Sequence, residues 1–281
     1  MAPRRRLVLA AGAALLVLAA VVAVLLARDP AGAPGQGSGG PARVDQSRPG
    51  PVLLVPGYGG GTAGLQVLAA ALLAQGREAV VVPAVDGGTG DLADQAEQLE
   101  AAARAALAGG APSVDVVGYS AGGVVARVWL AAGSPAGRAA PVRRVVTLGT
   151  PHQGTDLAAL AGQLAPAQCP LACRQLAPSS DLLTGLPAVP GGSTGTRWTT
   201  LWSTADEVST PPATSSALPG ALSLPLQAVC PGATTSHDRL PTDPLVVGLL
   251  ERLLDAEPLT AAPDPAECAA LTARGAELLS S

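Results

Sequence analysis

The sequence predicts an α/β fold, a mostly parallel sheet with helices on both faces. Three observations carry this. From Pro51 onward, short apolar runs alternate with helix-length segments. The runs are apolar at consecutive positions, as in strands buried on both faces. One serine, Ser120, sits between small residues where such a run passes directly into a helical segment.

The elements follow in order. "PVLLVP" from Pro51 is a buried strand, and "AGLQVLAAALLAQG" is a helix closing at Gly76. "EAVVVP" is the second strand, followed by the helix "GDLADQAEQLEAAARAALAGG" with two terminal glycines. "SVDVVGYS" leads into the helix "AGGVVARVWLAAG". "VRRVVTLGTP" and "RWTTLWST" are two further strands. "DPLVVGLLERLL" is a late helix with Pro244 in its first turn. Between the last two strands, residues 155–196 break the pattern with Pro and Gly and read as a cap insertion, since so long a break in a compact domain is usually functional.

The chain before Pro51 is of another kind. "RRR" at positions 4–6 precedes an uncharged run from Leu7 to Ala27. A secretory signal's apolar core spans about 7–15 residues and a membrane span about 20, so this run has the length of a span. Residues 1–28 therefore read as an uncleaved single-pass anchor with the rest of the chain outside; a cleaved signal, giving a secreted protein, is the alternative. Residues 29–50 form a Gly/Pro/Ser-rich linker, 51–257 the main domain, and 258–281 a C-terminal tail.

All 17 basic residues are arginine, and Lys, Ile, Asn and Phe are absent. Beyond Arg28, 13 arginines face 21 acidic residues, a net charge of −8. That argues against a nucleic-acid partner and offers no basic patch to anionic lipid. The four cysteines, an even number in an exported chain, predict two disulfides. Of the three possible pairings, the sequence favours Cys169 with Cys173, because Pro170 lets "CPLAC" close a small loop, and Cys230 with Cys268, tying the tail to the body. Zinc is the rival reading, but a second short cysteine pair is lacking and neither histidine is close in sequence.

A serine hydroxyl is a poor nucleophile until a base touches it, a third group orients that base, and donors await the oxyanion. Gly118-Tyr119-Ser120-Ala121-Gly122 fits G-x-S-x-G between a strand and a helix. There are two histidines. His152 leaves no acid between itself and Ser120, whereas His237 does, in keeping with the order nucleophile, acid, histidine. His237 is therefore the base, and His152 a structural or pocket-lining ring. Asp156, Asp181, Asp206 and Glu207 lie between Ser120 and His237. Asp206 ends a parallel strand, where open sheets place functional side chains; Glu207 is its neighbouring rival, and Asp156 and Asp181 fall in the cap. The oxyanion donors are the N–H of Ala121, after the nucleophile, and of Tyr58, in the glycine-rich loop "LLVPGYGGGT". That loop lacks the GK[ST] ending of a phosphate loop.

These segments resemble the lipase class 2 group of α/β-hydrolases, exported bacterial triacylglycerol lipases and esterases. The resemblance runs from about Pro51 to Leu254 and rests on "LLVPGYGGG", the stretch ending "VDVVGYSAGGVVAR", "LGTPHQGT", "STADEVSTP" and "SHDRLPTDP". Two positions depart from the group's pattern: Tyr119 stands where His is usual, and Pro56 replaces the His of the oxyanion loop. The resemblance implies an α/β-hydrolase fold with a small cap, and Ser120, Asp206 and His237 as nucleophile, acid and base. It also implies hydrolysis of an ester or lipid substrate through an acyl-enzyme, with no metal or organic cofactor. An acyltransferase on the same intermediate is the near alternative, and a catalytically silent binding protein on the same fold the distant one.

Overall fold

The structure is a computed structural model and describes residues 43–133, 141–191, 194–257 and 259–281. The segment expected to be an anchor or signal, 1–28, and most of the linker lie outside the described residues. Among the described residues, no helix is long and apolar enough to cross a membrane.

Six strands form one parallel sheet: β1 Val52–Val55, β2 Ala79–Val81, β3 Val114–Tyr119, β4 Val142–Leu148, β5 Arg197–Trp202 and β6 Leu222–Pro225. Their spatial order is β2-β1-β3-β4-β5-β6. The main helices are α1 Ala63–Ala74, α2 Leu92–Ala108, α3 Ala121–Ala132, α4 Asp156–Leu164, α5 Leu171–Gln175, α6 Asp181–Gly185, α7 Pro244–Leu254 and α8 Cys268–Ser280. The chain leaves β1 toward one edge and returns to place β3 on its other side. Crevices outside the carboxyl ends of strands open at such a switch point.

Alternation within each strand sorts its side chains between two cores. Leu54, Val117, Val146 and Leu201 pack with α1, α7 and α8 on one face. Leu53, Val55, Val116 and Val145 pack with α2 and α3 on the other. Each fully buried Val or Leu contributes about 1.5–3 kcal/mol. The helix starts are capped as their sequences suggest. The Asp91 carboxylate accepts from Ala93 N–H ahead of α2, and Asp243 accepts from Leu245 and Val246 N–H ahead of α7.

Three elements differ from the sequence expectation. β6 has no counterpart among the strands read from sequence, because "LSLP" is four residues long and ends in proline, which only an edge strand tolerates. The cap is more helical than its glycines and prolines suggest, holding α4, α5 and α6. The tail 258–281 is largely a packed helix, α8, with Leu271 and Leu278 buried against α7. Two glycines permit that approach: a methyl at Gly275 would lie 1.7 Å from the Pro244 carbonyl oxygen, and one at Gly248 2.1 Å from that of Leu271. Both disulfides form as paired in the sequence, Cys169–Cys173 and Cys230–Cys268.

Candidate active site

The strand-to-helix turn at Ser120 is sharp because nothing larger than hydrogen fits beside it. A methyl at Gly118 would lie 2.6 Å from Gly123 Cα, and one at Gly122 2.2 Å from the Val55 carbonyl oxygen. Ser120 itself has φ 53° and ψ −125°, a left-handed conformation that costs on the order of 1–3 kcal/mol and turns its hydroxyl outward. Thr150 Oγ1 donates to the Ser120 carbonyl at 2.8 Å and braces the turn from β4.

His237 arrives from the loop before α7, and Asp206 from the turn after β5. The Ser120 hydroxyl donates to His237 Nε2 at 2.9 Å, and His237 Nδ1–H donates to Asp206 Oδ2 at 2.7 Å. The other carboxylate oxygen, Oδ1, accepts from the N–H groups of Val208 and Ser209 at 2.9 and 2.8 Å. Asp206 is buried and all its partners are fixed, so its orientation is set from both sides. Glu207 takes another place: it is exposed, and its carboxylate accepts from the His237 backbone N–H at 3.3 Å. Asp156 and Asp181 stand in the first turns of α4 and α6, where a negative charge favours the helix dipole.

Three neighbours of this chain of hydrogen bonds were given no role by the sequence. Gly149, with φ 54°, lies against the Asp–His pair, and a methyl there would sit 2.7 Å from Asp206 Oδ2. Thr150 belongs to the same turn. Tyr119 packs its ring 5.3 Å from that of His237 and donates its hydroxyl to the His237 carbonyl at 3.3 Å. Burial, with the charges of Asp206, Asp238 and Glu207, pushes the Tyr119 phenol up to about 12, so it stays a neutral donor. "LGT" signals a turn in sequence, but only the fold brings that turn to the pair.

His152 stands apart. It is buried, shares a hydrogen bond with Thr147 Oγ1 through Nε2 at 3.0 Å, and meets Trp198 edge to face. Its carbonyl accepts from Arg127 Nη1. Burial, aided by the Arg127 charge, holds the ring's pKa well below 6.5, so it is neutral in the folded chain. The unfolded chain therefore binds the extra proton first, and stability contributed by neutral His152 is present above pH 6.5 and falls as pH drops below it. Urea titrations between pH 7.5 and 5 should show this decline, with a slope of up to about 1.4 kcal/mol per pH unit that His152→Gln removes.

The two N–H groups expected to face an oxyanion are unengaged by protein among the described residues. Ala121 opens α3, and among the described residues no protein group accepts its N–H or that of Tyr58. Gly57 presses the loop onto Ser120, where a methyl would lie 2.8 Å from Ser120 Cβ. Beside Ser120 opens a cleft of about 250 Å³, mostly apolar, walled by Leu157, Ala158, Ala161, Cys173, Leu176 and Val208. Among the described residues no cluster of three or more His, Cys, Asp or Glu is placed to hold a metal ion.

Comparison with known proteins agrees with this architecture. Residues 77–162 match the model of the PGAP1-like alpha/beta domain family, over less than half of the chain. No curated protein matches. Among solved structures, the chain is similar to Aspergillus fumigatus lipase B, with 19% identity, a TM-score of 0.56, and 87% of this chain and 63% of that one covered. It is similar to the mature form of Bacillus licheniformis lipase BlEst2, with 20% identity, a TM-score of 0.56, and coverage of 76% and 96%. The propeptide form of BlEst2 gives 22% identity and a TM-score of 0.62, with coverage of 80% and 54%. The chain thus spans less than two thirds of the Aspergillus lipase and of the propeptide form. A single parallel sheet, helices on both faces and these structural likenesses make this chain an α/β-hydrolase fold.

Proposed function

We propose that this chain is an exported serine hydrolase of carboxylic esters, of the lipase and esterase kind, acting through Ser120, His237 and Asp206. The observation that carries the reading is the continuous hydrogen-bonded line from Ser120 Oγ through His237 to Asp206, with Ser120 lining an apolar cleft. In the first half-reaction Ser120 Oγ bonds to the acyl carbon as His237 Nε2 takes its proton. The carbonyl oxygen becomes an oxyanion held by Ala121 and Tyr58 N–H. The carbon–alkoxy bond then breaks, and His237 returns the proton to the departing alcohol. Water, deprotonated by His237, attacks the acyl carbon; the bond from that carbon to Ser120 Oγ breaks, His237 returns the proton to Ser120, and the acid is released. Asp206 holds the proton on Nδ1 throughout and balances the imidazolium charge.

The apolar cleft suits an aliphatic acyl group, and Leu157, Leu160 and Leu164, exposed along the α4 helix that walls it, suit an apolar substrate. Export rests on the arginine-flanked apolar run at residues 4–27 and fits the two disulfides. Membership of the lipase class 2 group is the finer form of the same reading and rests on the motifs around Ser120, Asp206 and His237. The test is a fluorophosphonate probe, which should label the wild-type chain covalently and leave Ser120→Ala unlabelled. A folded wild type that resists the probe would make Ser120 a turn residue only. Product analysis with added short alcohol separates hydrolysis from acyl transfer, since the same acyl-enzyme would yield a new ester if an alcohol site exists.

A further inference from the structure

The two disulfides lie in very different places. Cys230–Cys268 spans 38 residues and clamps the start of α8 to the segment after β6. Cys169–Cys173 spans four and sits inside the cap. A bridge restrains the unfolded chain in proportion to the logarithm of the loop it closes, so the short one contributes less to overall stability. Its position suggests another role. Cys173 lines the cleft beside Ser120, as does Gln168, one residue before Cys169. Cys169 is fully buried, and its sulfur faces α4 at Gly162, where an added methyl would lie 3.9 Å away.

The cap's anchorage is uneven. Helix α5 is tied to the start of α2: Ala172 N–H donates to the Thr89 carbonyl, Gln175 Oε1 accepts from Leu92 N–H, and Gln175 Nε2 donates to Asp91. The turn Pro166–Gln168, joining α4 to α5, has local bonds from Gln168 N–H to Ala165 and Cys169 N–H to Pro166. Arg174 Nη1 reaches back to the Cys169 carbonyl at 2.7 Å, and the disulfide supplies the covalent tie. The bridge therefore transmits the fixed position of α5 to the α4 side of the cleft, where Ala158 and Ala161 form the facing wall.

We infer that the Cys169–Cys173 bridge is a specificity determinant, holding the acyl cleft narrow and setting an upper limit on acyl-chain length. The inference rests on the ester-hydrolase reading of Ser120. At about 250 Å³ the cleft falls below the ~300–1,000 Å³ usual for drug-sized ligands, which fits a short acyl chain. Opening the bridge frees the turn and its Gln168 to move away from α5, and a longer chain is admitted.

The experiment compares the full chain with Cys169→Ser/Cys173→Ser and with Cys230→Ser/Cys268→Ser, using p-nitrophenyl butanoate and dodecanoate. The readout is the dodecanoate-to-butanoate ratio of kcat/KM, with fluorophosphonate labelling and Tm measured on the same samples. The ratio should rise at least about tenfold in the cap variant, a change of about 1.4 kcal/mol in relative transition-state binding. In the second variant it should stay at the wild-type value although Tm falls further. Ala161→Leu, which fills the cleft with the bridge intact, should lower the ratio. An unchanged ratio in a labelled cap variant overturns the inference and leaves the hydrolase reading standing. Equal rises in both double variants also overturn it, because general loosening would then be the cause. A folded wild type that neither labels nor turns over either ester overturns both readings.

Discussion

His237→Ala is expected to lower ester turnover by about a million-fold, the scale of loss when one member of a serine–histidine pair acting as a unit is removed. Without the imidazole, Ser120 Oγ loses the acceptor 2.9 Å away and the leaving alcohol loses its proton donor. The residual rate would come from the backbone donors and the cleft, which still bind the substrate and its oxyanion. His152→Ala is the matched control. That ring contacts Thr147 and Trp198, away from Ser120, so turnover by the folded fraction should stay within about tenfold of wild type, while stability falls by about 1–3 kcal/mol for the lost packing. Steady-state kinetics, with the folded fraction quantified by circular dichroism, tests both. A large kinetic loss at His152 with activity kept at His237 would reverse the assignment of the base.

Asp115→Ala should be the most damaging single change to stability outside the site, at about 3–5 kcal/mol. Asp115 lies near the amino end of β3, at the opposite end of that strand from Ser120, and its side chain is wholly buried. It accepts from Arg143 Nε at 3.0 Å and Nη2, and from Arg77 Nη2 at 2.8 Å. The two arginines also donate to the Leu254 carbonyl, and Arg143 to that of Asp255, so the cluster satisfies the open carbonyl end of α7. Arg144 adds bonds to the carbonyls of Leu253 and Ala256. Removing the carboxylate leaves the fully buried Arg143 guanidinium without its counter-charge. In a domain of this size the loss corresponds to a fall in Tm of about 6–20 °C. Thermal unfolding measures it, and a fall under 2 °C, about the effect of a surface substitution, would mean that Arg143 is compensated by other groups. The exposed Arg274–Glu251 pair should matter far less, because water already solvates both partners.

Much of this architecture was legible before any coordinates. The runs Val52–Val55, Val116–Val117 and Val145–Val146 are apolar at consecutive positions because their strands are covered on both faces, and that pattern is local. The Ser120 turn was legible because its flanking glycines answer a steric need within a few residues. The pairing of Cys169 with Cys173 was legible for the same reason, as a short loop opened by Pro170.

What the tertiary structure decided depends on residues far apart in the chain. Asp206 was preferred in sequence with its neighbour Glu207 as rival, and the turn after β5 directs the first to the His237 ring and the second to its backbone N–H. Gly149 and Tyr119 gain their places beside the Asp–His pair from the approach of β3, β4 and the loop before α7. The α8 helix read as a tail because its apolar positions are few, yet Leu271 and Leu278 suffice once Gly248 and Gly275 let two helices touch and Cys230 holds the start of α8. Sequence by itself determined the layers and the sharp turn at Ser120, since periodicity and local sterics are written within single elements. The folded structure decided which acid lies against the His237 ring and what walls the cleft, since those contacts join residues as far apart in the chain as Ser120 and His237.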